Sequence, residues 1–138
     1  MTAFLIDTNV ASELVRPSPD QRVMRFLSIE RDLWLSVVTL HELTYGAELV
    51  KDMVRRHRLT TWIEALKLRF KERLIVTDAA IAEQAGRARA NAAAQGLAVD
   101  PLDALIAATA QLRLMTLATR NVRDFAAFDV RIYNPWTD

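Results

Sequence analysis

The sequence predicts an α/β fold in which a central parallel sheet of about five strands is flanked by helices. Short apolar runs alternate along the chain with longer segments that have the spacing or composition of helices. Strands that are separated by helices favour right-handed crossovers, a parallel sheet and helices on both of its faces. The 138 residues are 51% hydrophobic and 25% charged, which supplies enough apolar surface for one core.

The predicted strands are short apolar runs bounded by polar or charged residues. In chain order they are Phe4–Ile6, Leu33–Leu35, Leu74–Val76, Met115–Ala118 and, closing the sheet, Arg131–Tyr133. The predicted helices are Asn9–Val15, Asp20–Ile29, Thr39 to about Arg56, Thr60–Phe70, Asp78–Gln95 and Pro101–Leu114. Each helical segment lies between two of the strands or follows another helix, as a layered α/β fold requires.

Several residues have the positions of helix caps. Gly96 is suited to the C-cap that follows the Ala-rich helix. Three acidic motifs also fit helix N-termini. Thr39 and Glu42 fit a capping box, and Asp100, Pro101 and Asp103 fit the N-cap, N1 and N3 positions. Asn121 and Asp124 likewise fit the N-cap and N3 positions. Capping alone is therefore a sufficient explanation for each of these acids taken singly.

Composition excludes several kinds of site. The chain has no cysteine, and its two histidines stand alone, so any metal would be held by carboxylates. The longest apolar runs are far shorter than the roughly 20 residues that span a bilayer. The first residues lack the basic segment of a signal peptide, and Asp7 interrupts the apolar run early. We therefore expect a soluble cytoplasmic protein that makes no contact with membranes.

Positive charge is concentrated in one part of the chain, although the net charge is only +1. The basic residues are Arg55, Arg56, Arg58, Lys67, Arg69, Lys71 and Arg73. Such a run is either a solvated helical face or a surface that meets a polyanion such as RNA. The sequence leaves both readings open.

Four carboxylates recur just after a predicted strand or in the first turn of a helix: Asp7, Glu42, Asp103 and Asp124. The carboxyl ends of parallel strands open on one edge of a sheet, where such folds bind ligands. Asp7, Glu42 and Asp124 are therefore expected to meet there. The convergence of Asp103 is the weakest inference, because Leu97–Val99 is too short to be assigned as a strand.

Crowded carboxylates repel one another unless a cation neutralises them or one of them stays protonated. An all-oxygen site suits Mg²⁺ or Mn²⁺, which leaves positions open for phosphate and water, and this predicts phosphodiester hydrolysis by one or two ions. Neutral side chains nearby would hold the carboxylates or waters in position. These candidates are Thr8, Asn9, Thr119 and Asn121.

Other residues have simpler interpretations. His41 and Glu42 are adjacent in a helix, so their side chains point about 100° apart. If Glu42 faces the crevice, His41 does not, and it is not expected to act as a general base. Asp100 is interpreted as an N-cap and is not included in the catalytic set. The apolar stripe Leu40, Leu43, Ala47 and Val50 should face the core, and Trp34, Trp62 and Trp136 are interpreted as structural. Tyr45 and Leu49 lie off that stripe and are candidates for a surface that meets a second copy or a partner protein.

Four segments together resemble the PIN-domain family, in particular VapC and FitB-like toxins. They are Leu5–Val10, Ser36–Leu43, Asp103–Ala110 and Leu117–Phe125, and the likeness extends over nearly the whole chain to Trp136. The resemblance implies a single PIN domain over residues 1–138, Mg²⁺ or Mn²⁺ dependence, endonucleolytic cleavage of RNA, dimerisation and neutralisation by a cognate antitoxin. It also implies that Asp7, Glu42 and Asp103 are the three principal acids.

The fourth acid departs from one pattern of the family. Some relatives have an acid directly after the Thr-Arg pair, where this chain has Asn121; others have an Asn there and an acid three residues later, as Asp124 is here. We expect Asp124 to be the acid and Asn121 its polar supporter, and the departure brings the strength of metal binding into question.

Three other readings remain. The first is a catalytically inactive PIN-like module that binds RNA or a partner protein; the intact acids argue against it, because an acidic crevice without metal repels a polyanion. The second is an aspartyl-phosphate receiver or phosphohydrolase, which needs a lysine near the sheet edge, and no lysine follows a predicted strand. In the third, the toxin–antitoxin pair also binds its own promoter, with DNA contacts made only through the antitoxin, since the chain lacks a helix-turn-helix signature.

Overall fold

The computed structural model describes residues 2–138 and consists of alternating strands and helices. The strands are β1 (Phe4–Ile6), β2 (Leu33–Ser36), β3 (Leu74–Ile75), β4 (Thr116–Ala118) and β5 (Ile132–Tyr133). The α-helices are α1 (Thr8–Ser12), α2 (Gln21–Ile29), α3 (Val37–Glu48), α4 (Met53–Arg69), α5 (Ala79–Ala94) and α6 (Pro101–Leu112). Short 3₁₀ turns occupy Glu13–Val15, Lys71–Arg73 and Val122–Phe125.

The five strands form one parallel sheet in the order β3-β2-β1-β4-β5. Leu5 in the central strand lies opposite Trp34 of β2 on one side and opposite Leu117 of β4 on the other. The carboxyl ends of all strands therefore open on one edge, which we call the carboxyl edge. The predicted α/β fold with a central parallel sheet is confirmed.

The core lies on both faces of this sheet. Phe4 and Ile6 pack on one face with Phe26 of α2, whose ring meets that of Phe4 edge-on at a centroid distance of 5.0 Å. Leu5 packs on the opposite face with Ile106 of α6. A strand that is covered on both faces is apolar at every position, which explains why β1 has no alternation of polar and apolar residues.

The start of α3 differs from the prediction. Its N-cap is Ser36, whose hydroxyl accepts a hydrogen bond from the Val38 N–H at 3.0 Å. Thr39 is buried inside the helix, so the predicted capping box of Thr39 with Glu42 is wrong. Since Glu42 is not needed as a capping partner, its side chain is available to the carboxyl edge.

The boundary between α3 and α4 was also predicted wrongly, because the break lies at residues 49–52 rather than near residue 58. Asp52 starts α4 by accepting a hydrogen bond from the Val54 N–H at 3.1 Å. The Arg56 guanidinium donates to the carbonyl oxygens of Glu48 and Val50, at 3.0 and 2.8 Å. Periodicity did not show this turn because apolar residues continue through it.

Two other predicted caps are confirmed. The Asp100 carboxylate accepts from the Leu102 N–H at 2.8 Å at the start of α6. Gly96 has a φ of 79° after α5, and the Leu97 N–H donates to the Ala92 carbonyl at 2.9 Å, as in a Schellman C-cap. Within residues 2–138, none of the helices combines the length and apolar character needed to cross a bilayer.

Candidate metal centre at the carboxyl edge

Asp7 is the most deeply buried of the predicted site acids. It directly follows β1, is 5% exposed, and caps α1 by accepting a hydrogen bond from the Thr8 N–H at 2.8 Å. The Thr119 hydroxyl, at the end of β4, donates to Asp7 Oδ2 at 2.7 Å, and the Asn9 amide donates to the same oxygen at 3.2 Å. Burial raises the pKa of Asp7, while these hydrogen bonds oppose the rise.

Glu42 reaches the same edge from the second turn of α3. Its Oε1 accepts a hydrogen bond of 2.7 Å from the Thr8 hydroxyl, which lies one residue after Asp7. Burial raises the pKa of Glu42, and the charges of Asp7 and Asp100 raise it further. A short polar link therefore connects the loops after β1 and β2.

Asp103 also lies among these acids. Its pKa is raised to about 7 by burial and by the charges of Asp7, Asp100, Asp124 and Glu42. A carboxyl group that experiences four other carboxylates lies at a centre of negative charge. The structure thus brings Asp103 to the carboxyl edge even though Leu97–Val99 forms no strand.

The fourth predicted site acid, Asp124, lies in the 3₁₀ turn after β4. Asp124 lies on one wall of a cleft whose opposite wall carries Asp103, and its charge raises the pKa of both Asp7 and Asp103. The Asn121 side chain makes no capping hydrogen bond, contrary to the prediction, although its N–H donates to the Thr119 hydroxyl at 3.0 Å. Asp124, unlike Asn121, lines the same cleft as Asp103.

Asp100 was not included in the predicted set, yet its charge raises the pKa of both Glu42 and Asp103. It caps α6 and contributes to the wall of the same cleft as Asp103. Its spacing three residues before Asp103 was visible in the sequence, but a good N-cap explained it fully. Asp100 both caps α6 and adds negative charge near Glu42 and Asp103. The sequence analysis recognised only the cap.

The donor set fits a hard divalent cation that keeps part of its water shell. Across residues 2–138, no three His, Asp or Glu side chains are placed so that together they could hold a metal ion directly. The acids nevertheless raise one another's pKa. The crevice between Asp7, Glu42, Asp103 and Asp124, which we call the acidic crevice, therefore has excess negative charge. Mg²⁺ is commonly held by one or two carboxylates with waters completing the shell, which suits an open acidic crevice better than a cage.

Part of the basic run lies away from this crevice. Arg69 and Arg73 line a pocket with Arg31 and Leu33, at the start of β2 and thus at the edge opposite the acids. Arg56 is bound to backbone carbonyls. Two other arginines, Arg120 and Arg123, follow β4 at the carboxyl edge.

Comparison with known proteins agrees with this architecture. Residues 4–130 match the PIN domain family. The chain is 36% identical to toxin FitB of Neisseria gonorrhoeae over 138 residues, covering 98% of this chain and 99% of FitB. It is 35% identical over 125 residues to the tRNA(fMet)-specific endonuclease VapC of Shigella flexneri, covering 91% of each chain.

The fold also matches a solved complex. A chain in the crystal structure of DNA-bound VapBC from Salmonella typhimurium superposes with a TM-score of 0.82 at 29% identity, covering 98% of this chain and 99% of that one. Sequence and fold agree over nearly the full length of the relatives. The chain therefore belongs to the PIN-domain family and, within it, to the FitB and VapC toxins of toxin–antitoxin systems.

Proposed function

We propose that this protein is an endoribonuclease that hydrolyses RNA phosphodiester bonds with a carboxylate-bound Mg²⁺ or Mn²⁺ ion, and that this activity is its toxicity. The observation that carries the proposal is the convergence of four acids on Asp103, whose pKa is raised to about 7 by burial and by the charges of these acids. A relative at 35% identity is named as a tRNA endonuclease, which supports RNA as the substrate class. Which RNA is cut depends on surfaces that the relatives need not share.

Asp7, Glu42, Asp103 and Asp124 would hold the metal, directly or through water. When bound, the ion would lower the pKa of a water molecule and offset the charge that develops on phosphate. Asp7 is fixed by Thr119 and Asn9, so one side of the site is rigid before substrate arrives. Asp103, with the raised pKa, must lose its proton when a cation binds.

The neutral side chains would act by positioning. Thr8 orients Glu42, and Thr119 orients Asp7, each through a hydrogen bond of 2.7 Å. Asn9 links Asp7 to the segment after β4, because Asn9 Oδ1 accepts a hydrogen bond of 3.1 Å from the Arg120 N–H. Asn121 contributes through its backbone N–H rather than through its side chain.

The partner in the cell would be a cognate antitoxin, and contacts with promoter DNA would be made through it, as in a complex of the kind seen in DNA-bound VapBC. We further propose that the chain forms a homodimer. Tyr45 and Leu49 are 63% and 61% exposed, and the neighbouring Met53 and Val54 are 68% and 69% exposed. Apolar side chains clustered at the α3–α4 turn favour contact with another chain. A cytoplasmic location is part of the same proposal.

The deciding experiment is cleavage of a mixed pool of small RNAs by antitoxin-free protein across a titration of Mg²⁺ and Mn²⁺. Asp103→Asn, prepared identically, tests the site because the change removes a charge and preserves the size of the side chain. Asp52→Asn is the matched control, since Asp52 caps α4 outside the crevice. We expect metal-dependent cleavage by the parent and by Asp52→Asn, and none by folded Asp103→Asn.

Equal cleavage by the parent and Asp103→Asn would assign the activity to a contaminant. Absence of cleavage by a folded parent, with RNA binding that is unchanged by chelation, would instead support the inactive binding module.

A further inference from the structure

A cleft of about 670 Å³ lies beside the acidic crevice, and no role has yet been assigned to it. One wall is the segment between α5 and α6, including Leu97, Ala98 and Val99. The facing wall is the 3₁₀ turn after β4 and the two alanines that follow, Ala126 and Ala127. The volume lies within the range of small-molecule sites, about 300 to 1,000 Å³.

The cleft contains one cation, Arg123, together with the carboxylates of Asp100, Asp103 and Asp124. In the part of the chain that the structure describes, the ion pairs are Arg16–Glu13, Arg22–Asp20 and Lys67–Glu64. Arg123 belongs to none of them, although three acids share its cleft. Its guanidinium is thus available to a ligand that has acceptor oxygens of its own.

The remaining lining has two chemical characters. Leu97, Ala98, Val99, Ala126 and Ala127 supply apolar surface, and Gln95 supplies an amide. The apolar part of the lining suits a flat heteroaromatic ring, while Arg123 suits the phosphate attached to it. A nucleotide combines these two parts in one ligand.

We propose that this cleft is a nucleotide subsite, in which Arg123 binds the phosphate adjacent to the scissile phosphodiester and the apolar walls receive the attached nucleoside. The proposal rests on the nuclease function above and specifies how its substrate lies. Asp103 and Asp124 belong to both the crevice and the cleft, so an RNA that occupies the cleft continues directly into the acidic site. A guanidinium at this junction offsets the repulsion between the acids and the RNA backbone.

Two residues of the basic run, one at the end of α4 and one in the 3₁₀ turn after it, are less suitable for this role. Arg69 and Arg73 line a pocket at the opposite edge of the sheet. A strand of RNA that contacts them would have to cross the molecule before it reached Asp103. Arg123 needs no such path.

The test measures binding of a short, fluorescein-labelled, mixed-sequence single-stranded RNA by anisotropy, with Ca²⁺ in place of Mg²⁺ and the RNA verified intact on a gel. Arg123→Gln removes the charge, and Ala126→Trp fills the cleft without changing charge. Arg113→Gln, after the far end of α6, and Ala90→Trp, on an exposed part of α5, are matched controls. Circular dichroism melting verifies that every variant is folded.

We expect Arg123→Gln to weaken binding about 5- to 10-fold and to reduce the slope of log affinity against log salt by about 0.7, the value for one phosphate contact on a single strand. Ala126→Trp should weaken binding with the slope unchanged, and both controls should bind like the parent. If Arg123→Gln and Ala126→Trp bind normally while the parent cleaves RNA, the subsite is refuted and the nuclease remains. If the parent neither binds nor cleaves RNA, the nuclease function and the subsite fail together.

Discussion

Thr119 and Asp7 join the carboxyl ends of two neighbouring strands, because the Thr119 hydroxyl donates a hydrogen bond of 2.7 Å to Asp7 Oδ2. The same hydroxyl accepts from the Asn121 N–H at 3.0 Å. Thr119 is fully buried and Asp7 nearly so. One hydroxyl thus satisfies a buried carboxylate and positions the backbone that leads to Asp124.

Replacing Thr119 with valine should destabilise the protein by about 1 to 3 kcal/mol, because a buried carboxylate loses a donor. Thr119→Ser keeps the hydroxyl and should recover most of the loss. Thr116→Val, at the first residue of β4, is the matched control for replacing a threonine hydroxyl by a methyl group. Urea denaturation measures the free energy of unfolding of the parent and of the three variants. An equal loss in Thr119→Val and Thr116→Val would contradict a special role for the Thr119–Asp7 pair.

Metal-free protein should become less stable as the pH rises from about 4 to about 7. Asp103 has a folded pKa of about 7 against an ordinary value of 3.8, so in this interval the folded state binds more protons than the unfolded state. Asp7 and Glu42 are shifted in the same direction. Linkage then requires the free energy of unfolding to fall through this interval and to level off above it.

Thermal melting in EDTA between about pH 5 and about pH 8 measures this loss. Asp103→Asn does not ionise, so its melting temperature should fall less, and at the higher pH it should exceed that of the parent by about 3 °C or more. Added Mg²⁺ should stabilise the parent more at the higher pH, since Asp103 is then already deprotonated. A parent that gains stability on alkalinisation without metal would show that the raised pKa is absent.

Asp100 should affect both metal affinity and helix stability, and two substitutions separate these effects. Asp100→Asn keeps a capping side chain but removes a charge that reaches Glu42 and Asp103. We expect a several-fold higher Mg²⁺ concentration at half-maximal cleavage with little change in stability. Asp100→Ala should cost about 1 kcal/mol in addition, because the cap is lost. If Asp100→Asn leaves the Mg²⁺ requirement unchanged, Asp100 serves only as a cap.

The choice between Asp124 and Asn121 is also testable. Asp124→Asn removes a charge that raises the pKa of Asp7 and Asp103, whereas Asn121→Ala removes a side chain without a capping hydrogen bond. At limiting Mg²⁺ we expect Asp124→Asn to lose about 10-fold or more in cleavage rate, the range seen for groups that support a metal. Its pH profile should also shift to lower pH. The opposite ranking of the two variants would assign the fourth position to Asn121.

Much of the fold could be predicted because local pattern and topology agree. Each strand is an apolar run, and parallel strands leave their carboxyl ends on one edge, so the sequence alone predicts that Asp7 and Glu42 meet. Asp103 was harder, since no strand precedes it. Its position depends on how α6 packs against α5 and the sheet, which is a tertiary property.

The remaining errors have physical reasons. Apolar residues continue through the turn between α3 and α4, so periodicity carried the predicted helix to Arg56, beyond the turn that Arg56 itself stabilises. The sequence also left open whether the basic run meets RNA, because linear spacing does not show which edge of the sheet a helix end approaches. Arg123 has only Arg120 as a basic neighbour and belongs to no basic run, so its role gave no signal in the sequence.

The final prediction concerns the apolar surface at the α3–α4 turn. Tyr45, Leu49, Met53 and Val54 are each more than 60% exposed, which is an unfavourable arrangement for four large apolar side chains in water. If this surface pairs with a second copy, Leu49→Glu buries a charge in the interface and should convert the antitoxin-free protein from dimer to monomer. Light scattering coupled to gel filtration measures the mass directly.

Leu68→Glu is the matched control, because Leu68 is 74% exposed on α4 and lies more than three helical turns beyond Val54. We expect this variant to keep the mass of the parent. A dimer that survives Leu49→Glu while co-purification with the antitoxin is lost would assign the surface to the antitoxin instead. Because an exposed leucine adds little to the stability of a folded monomer, Leu49→Glu should leave the metal-dependent cleavage rate per active site unchanged.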